Sequence, residues 1–496
     1  MPDPVKVLMI CGHEPMLDPR IRWEAEAAAS RFDITVLGFN RPDGSCPEHE
    51  TVDGYRLIRL KPPAVGAGHY LWRLKDIVPR RARLPALLVL ALLFPLLVLA
   101  EILFRLIRIP VRRLRRGARA GLDSARRLVT VSLLLRAIRL RERRDRLRLR
   151  TLSRVDYVRA VLRQFATTTS AFWNHVRDTP VKPDVVHCND LETLLVGILA
   201  KQQFGCRLVY DAHEFYPRSD PDGGWIDVAF FSLLERLLIR RADAVVTVNP
   251  MLAEVMRRAY GLQRVYAVAN AELWVEGRPE PAHGSEMDRL AAGRVKFLFQ
   301  GRFTPGRGID ELIEGWTAVD GRRAALFLRG PANIWRERAM AQAAALGLLD
   351  HSVYFLDAVS EEALVPAAAE ADVGIIPYRP LIINDRLSCP NKLSQYLHAG
   401  LMVIANDLPY VKSVLTEAEA GLFYNSSTSG TLAAAVRTIL GDPELLQRAR
   451  RNARRYARER FNWQVEGETL YALYRRPERS PELPAAHAES APQPSM

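Results

Sequence analysis

Short apolar runs alternate with amphipathic stretches along most of the chain. In the first half the pattern predicts strands at 5–12 (VKVLMICG), 32–39, 55–61, 184–190, 207–213 and 243–249. Between the first two lies DPRIRWEAEAAAS, which predicts a helix. A polar stretch, 275–294, reads as a linker. The pattern then restarts, with strands at 295–301, 325–330, 353–359, 372–378 and 401–407. Nearly continuous apolar strands separated by helices mean parallel sheets covered on both faces. The expected fold is therefore α/β, with two Rossmann-like domains in tandem. Their expected bounds are 1–274 and 295–460, followed by a helical stretch at 461–478. The last residues, 479–496, are rich in Pro, Ala and Ser and read as disordered.

One stretch breaks the pattern. LPALLVLALLFPLLVLA, residues 84–100, has seventeen residues and no charge. It falls between the strands 55–61 and 184–190, which belong to one sheet, so a single membrane crossing would divide that sheet. A spanning helix needs about 20 apolar residues, and Pro95 would kink one here. Arginines flank both ends, and positive flanks stay cytoplasmic. The reading is a helical insertion, 64–165, that dips into the cytoplasmic leaflet without crossing it.

Charge sharpens that reading. The 496-residue chain carries a net charge of +14. Residues 105–150 hold 17 arginines, no lysine and three acids, so this segment accounts for the whole excess. Basic residues beside an uncharged apolar run point to an anionic membrane surface. The segment has no interleaved aromatics, which argues against nucleic acid as a partner. Five unpaired cysteines suggest reduced thiols in the cytoplasm. The N-terminal residues lack the basic and apolar regions of a signal peptide.

Four strand ends carry candidate chemistry. QGRFTPGRGIDELIEGW (300–316) places Gly301, Arg302 and Arg307 before a helix start, where free N–H groups and guanidinium forks suit a phosphate. SCPNKLSQYLHAG (388–400) begins a second helix, with Asn391, Lys392 and Gln395 in its first turns. YDAHEFYPR (210–218) places His213 and Glu214 just past a strand, and VVHCNDLETLL places His187 and Asp190 at another. A D-x-D string at 220–222 lies in a Pro/Gly-rich loop and is a poor metal site.

In this order the motifs resemble the GT-B glycosyltransferases of glycosyltransferase family 4. The resemblance implies two Rossmann-like domains around a deep cleft, and transfer with retention from a nucleotide-diphosphate sugar without a metal or other cofactor. It implies that Arg302 and Arg307 hold the diphosphate and that His213 contacts the transferred sugar. Asp18 and Arg20 of DPRIRWEAEAAAS would face the acceptor side, with His187, Asp190 and Glu214. FNWQVEGETLYALYRR (461–476) is similar to the closing helix that crosses back to the first domain. One departure stands out. The family often has two glutamates eight apart, where this chain has Leu387 and Gln395. The insertion on the acceptor side implies a lipid-linked acceptor, in bacterial surface polysaccharide synthesis. A catalytically inactive membrane adaptor and a GT-B nucleotide-sugar epimerase are the competing expectations.

Overall fold

A computed structural model describes residues 3–63, 162, 165–180, 182–218, 225–277, 284–428 and 430–475. The compact unit Pro63–Ala171 lies almost wholly outside these residues. So do the apolar stretch, the arginine-rich run, the D-x-D string and the tail. Among the described residues no helix is long and apolar enough to cross a membrane.

The other unit, Met1–Pro62 with Phe172–Met496, contains two sheets. The first has eight strands: β1 Lys6–Ile10, β2 Asp33–Phe39, β3 His49–Val52, β4 Tyr55–Leu60, β5 Val185–Asn189, β6 Arg207–Ala212, β7 Ala244–Thr247 and β8 Val265–Ala267. Their order is β3-β4-β2-β1-β5-β6-β7-β8, parallel except for β3. β3 is a short antiparallel edge joined to β4 through Asp53 and Gly54, both with positive φ (45° and 87°), as a tight hairpin turn requires. The second sheet has six parallel strands: β9 Val295–Gln300, β10 Ala324–Arg329, β11 Val353–Leu356, β12 Val373–Ile376, β13 Met402–Asn406 and β14 Gly421–Tyr424. Their order is β11-β10-β9-β12-β13-β14.

Two expectations are corrected here. The stretch 275–294 is not simply a linker. Glu286–Ala291 is a helix with a capping box between Ser285 and Asp288, and it buries Met287 and Ala291 against the second sheet's core. The pattern also missed β3, β8 and β14, which are short.

Each sheet reverses its winding once, at β1/β5 and at β9/β12. In open α/β sheets ligands bind beyond the strand C-termini at such a reversal. The helix Trp463–Tyr474 buries Trp463, Leu470, Tyr471 and Tyr474 in the first domain's core, beside Trp23 and Phe32. It therefore ties the end of the second domain to the first. Gln464 exchanges hydrogen bonds of 2.9 and 3.0 Å with the backbone of Trp274, closing the return.

Candidate active site

A cavity of about 850 Å³ opens between the two sheets. The loops that line it follow β1 (Leu17–Arg20), β6 (His213, Glu214), β9 (Gly301–Arg307), β10 (Gly330, Pro331) and β12 (Tyr378), and a last segment runs through Asn384–Gln395.

The second-domain wall is cationic. After β9 the chain turns through Gly301 (φ 143°), Gly306 and Gly308 (φ 72°) into the helix Ile309–Trp316. A Cβ at Gly308 would lie 1.9 Å from the Pro377 carbonyl oxygen, and one at Gly301 would lie 2.4 Å from Lys392 Nζ. Glycine is therefore needed both for conformation and for room. Arg302 and Arg307 project from this loop and are exposed. Lys392 is buried in the first turn of the helix Asn391–His398. Its Nζ donates to the Tyr378 hydroxyl at 2.9 Å and lies 4.9 Å from the Phe299 ring centre. The Arg307 guanidinium lies over the Tyr378 ring, 4.3 Å from its centre. Burial alone would raise the Tyr378 pKa, but Lys392 and Arg307 outweigh it and pull the phenol below its usual value. Among the described residues, none of Arg302, Arg307 and Lys392 has a carboxylate within ion-pair distance. Three cations outside any ion pair, with Glu214 and Asp385 acting on Arg307 only at longer range, stand beside two helix N-termini and form a seat for a polyanion.

The first-domain wall is acidic around one histidine. His213 Nδ1 lies 3.6 Å from Asp190 and 3.7 Å from Asp18, and its Nε2 lies 3.5 Å from Asp211. Burial disfavours the imidazolium, but Asp190 and Asp211 overcome that and push the pKa up to about 10. His213 is thus a cation at neutral pH. Burial raises Asp190 and Glu214 above the usual carboxylate range, with His213 opposing it in both cases. Asp190 has φ 65° and ψ 163°, a conformation that side chains rarely adopt. Such strain is held only where the surrounding structure enforces it. Burial and Asp190 also push the neighbouring Glu192 up to about 7.

The structure gathers Asp18, Arg20, His213, Glu214, Gly301, Arg302, Arg307, Asn391, Lys392 and Gln395 at this cavity. Asp190 stands just behind His213. One acceptor-side expectation is corrected. His187 is fully buried within β5 and does not line the cavity; its Nδ1 lies 2.6 Å from the Tyr474 hydroxyl. Arg20 reaches the wall but is only 2% exposed. It donates to Asp211 (2.7 Å), Asn270 Oδ1 and the Val268 carbonyl (both 2.9 Å), which leaves it little freedom to bind substrate.

Sequence reasoning missed Tyr378, Asp385, Asn384 and Asp211. Tyr378 and Asp211 sit at the ends of apolar strands and were legible only as strand. Asn384 pairs with the backbone of Phe215 at 2.9 and 3.1 Å, across the cavity from the second domain to the first. Gln395 is buried on the wall and Leu387 lines it eight residues earlier, so no glutamate occupies either position. Glu24, His187 and Asp211 bring donor atoms within 4.8 Å of one another, a spacing a metal ion could use. The Arg20 guanidinium lies 2.7 Å from Asp211 and 3.2 Å from Glu24, so a cation already occupies that position.

Comparison with known proteins agrees with this architecture. Residues 112–271 match the glycosyl transferase 4-like domain, and residues 294–442 match glycosyl transferases group 1. The glycogen synthase of Mycobacterium tuberculosis is 22% identical over 361 residues, 68% of this chain and 76% of that protein. Among solved structures, sucrose-phosphate synthase from Thermosynechococcus elongatus superposes with a TM-score of 0.63 at 15% identity, covering 95% of this chain and 98% of its own. Anabaena HepE in complex with UDP and glucose gives 0.57 at 13% identity, covering 94% and 98%. At such identities the superpositions show the fold, while the two domain matches and the relatives carry the chemistry. The chain is a glycosyltransferase of the GT-B fold, with a glycosyl transferase 4-like domain ahead of a group 1 domain.

Proposed function

We propose that the enzyme moves a sugar from a nucleotide-diphosphate sugar, with retention at the anomeric carbon, to an acceptor carried on a lipid at the cytoplasmic face of the membrane. The observation that carries the donor half is the trio Arg302, Arg307 and Lys392, none of them in an ion pair, at two helix N-termini. As the sugar–phosphate bond breaks, negative charge gathers on the leaving diphosphate. Fixed cations and N–H dipoles aimed at that charge lower the barrier. His213, held charged on the opposite wall, faces the transferred sugar as a hydrogen-bond donor. The resemblance to family 4 supports retention and independence from metal.

The acceptor half rests on the chain itself. The uncharged stretch 84–100 and the 17 arginines of 105–150 are inserted between β4 and β5, in the domain opposite the donor seat. An acceptor whose reactive end sits among headgroups needs an enzyme that stays there, and paired apolar and basic signals give stable attachment. A polyprenyl-diphosphate-linked glycan fits, and surface polysaccharide synthesis is the setting that fits it. The match to a glycogen synthase favours a second reading, in which the acceptor is a soluble glucan.

Vesicle co-sedimentation tests the membrane claim. Wild type should pellet with anionic vesicles and lose most of that binding in high salt. A variant lacking 84–127 should stay in the supernatant while folded. Wild type that stays in the supernatant with anionic vesicles at low salt would reject the claim and favour the soluble acceptor.

A further inference from the structure

The geometry points to Asp211 as a positioning residue: its buried carboxylate holds Arg20 on one side and the inner nitrogen of His213 on the other, so that His213 offers its Nδ1–H to the cleft. The inference rests on the reading that His213 faces the transferred sugar.

Asp211 ends β6, two residues before His213, and is fully buried. Its Oδ2 accepts from Arg20 Nε at 2.7 Å and lies 3.5 Å from His213 Nε2 and 3.8 Å from His187 Nε2. One carboxylate oxygen thus serves three cationic or imidazole groups. The other, Oδ1, is buried without a hydrogen-bond partner, as are both Glu24 carboxylate oxygens, His187 Nε2 and His213 Nε2 itself, so Asp211 meets His213 as an ion pair at 3.5 Å and not through a hydrogen bond. Uncompensated buried polar atoms cost free energy and persist where another need holds them. Here they surround the residue that fixes His213.

The far side of the cluster is equally fixed. Arg20 bonds Asn270 and the Val268 carbonyl, and its guanidinium lies 5.6 Å from the Trp463 ring centre. His187 meets the hydroxyl of Tyr474. Asp211 is therefore anchored by the first-domain helix Pro19–Ala29, by β5 and by the returning helix. A buried carboxylate paired by charge with one ring nitrogen favours the doubly protonated ring, in which both nitrogens are donors.

The titratable groups around His213 are Asp18 after β1, Asp190 after β5, Asp211 on β6 and the adjacent Glu214, with Glu24 of the helix Pro19–Ala29 and His187 of β5 acting from farther away. Those that face Asp211 are Arg20 and Glu24 from the helix, His187 from β5 and His213. Asp18 lines the cleft and Asp190 stands behind His213. Their side chains are 22% and 18% exposed, whereas Asp211, at 0%, reaches the ring from the core.

The test is histidine-selective ¹⁵N NMR of the full chain, with the His213 resonances assigned by their loss in His213→Gln. In wild type the ring should remain doubly protonated from pH 6 to 9. In Asp211→Asn its midpoint should fall toward the ordinary imidazole value of about 6.5. The same variant should lose roughly 10- to 100-fold in kcat, leave the donor KM nearly unchanged, and gain a pH dependence between 6 and 8. Asp211→Glu should restore the charged ring and part of kcat. A wild-type His213 that titrates near 6.5 overturns the inference without any variant. So does an Asp211→Asn protein with an unchanged titration, or one whose kcat and KM fail together without a new pH dependence. The NMR result is independent of transfer. A charged His213 in a protein that transfers no sugar would leave the positioning role standing and refute the proposed function instead.

Discussion

Two charges at the cleft carry most of the chemistry, and each makes a separate prediction. Arg307 stacks on Tyr378 beside Lys392 and forms no ion pair. Arg307→Ala should weaken nucleoside-diphosphate binding, measured by calorimetry, by roughly 10- to 100-fold, the worth of one charge-assisted contact to phosphate. An unchanged affinity would place the diphosphate elsewhere. His213 has a folded pKa of about 10, above its unfolded value. Its charge therefore adds stability that is fully present below about pH 6.5 and is lost as pH rises through about 10. The difference in melting temperature between wild type and His213→Gln should be largest at pH 6 and shrink toward pH 10. His213 and the two arginines were legible in the sequence because each falls just past an apolar run, where a parallel sheet puts its ligands. His187 misled for the same reason. It lies within β5 on the face it shares with Asn189, and the register pairs that face with Val209 and Asp211, covered by protein. Burial of a polar face by a helix from elsewhere in the chain cannot be read from one strand.

At the level of elements, the strongest periodic segments were the most legible. The parallel strands other than the short β8 and β14, the helix Pro19–Ala29 and the helix Trp463–Tyr474 follow from apolar spacing. β3 did not, because His49–Val52 is largely exposed and has no apolar alternation. Its only signal was the Asp53–Gly54 pair. The helix Glu286–Ala291 was hidden in the supposed linker, although Ser285 and Asp288 spell a capping box. Both misses came from weighing hydrophobicity above turn and cap chemistry. The loop from β9 to the helix Ile309–Trp316 makes the sharpest prediction at this scale. Gly308→Ala would force a Cβ into a positive-φ position against the Pro377 carbonyl. The change should cost about 1–3 kcal/mol and weaken nucleoside-diphosphate binding with it. A variant with the wild-type melting temperature and affinity would show that the loop has room to relax.

For the whole molecule, the domains divide the reaction. The second holds cations outside any ion pair, the first a charged histidine among carboxylates, and the return of Trp463–Tyr474 joins them behind the cleft. Arg22 of the first domain reaches Glu362 of the second at 3.0 Å, and Asn384 pairs with Phe215, so both ends of the cleft are bridged. The tandem α/β plan followed from the sequence because its pattern starts over at 295. The insertion was visible only by its composition and its place in the chain, and it supplies the acceptor half of the proposal. The most direct measurement supplies nucleotide sugars labelled in the sugar, together with membrane lipid extract and a soluble glucan, and follows where the label goes. Label entering the organic phase with retained anomeric configuration, and lost when 84–127 is deleted or Arg307 is replaced by alanine, is the predicted result. Label entering only the glucan, with or without 84–127, would contradict the lipid-linked acceptor.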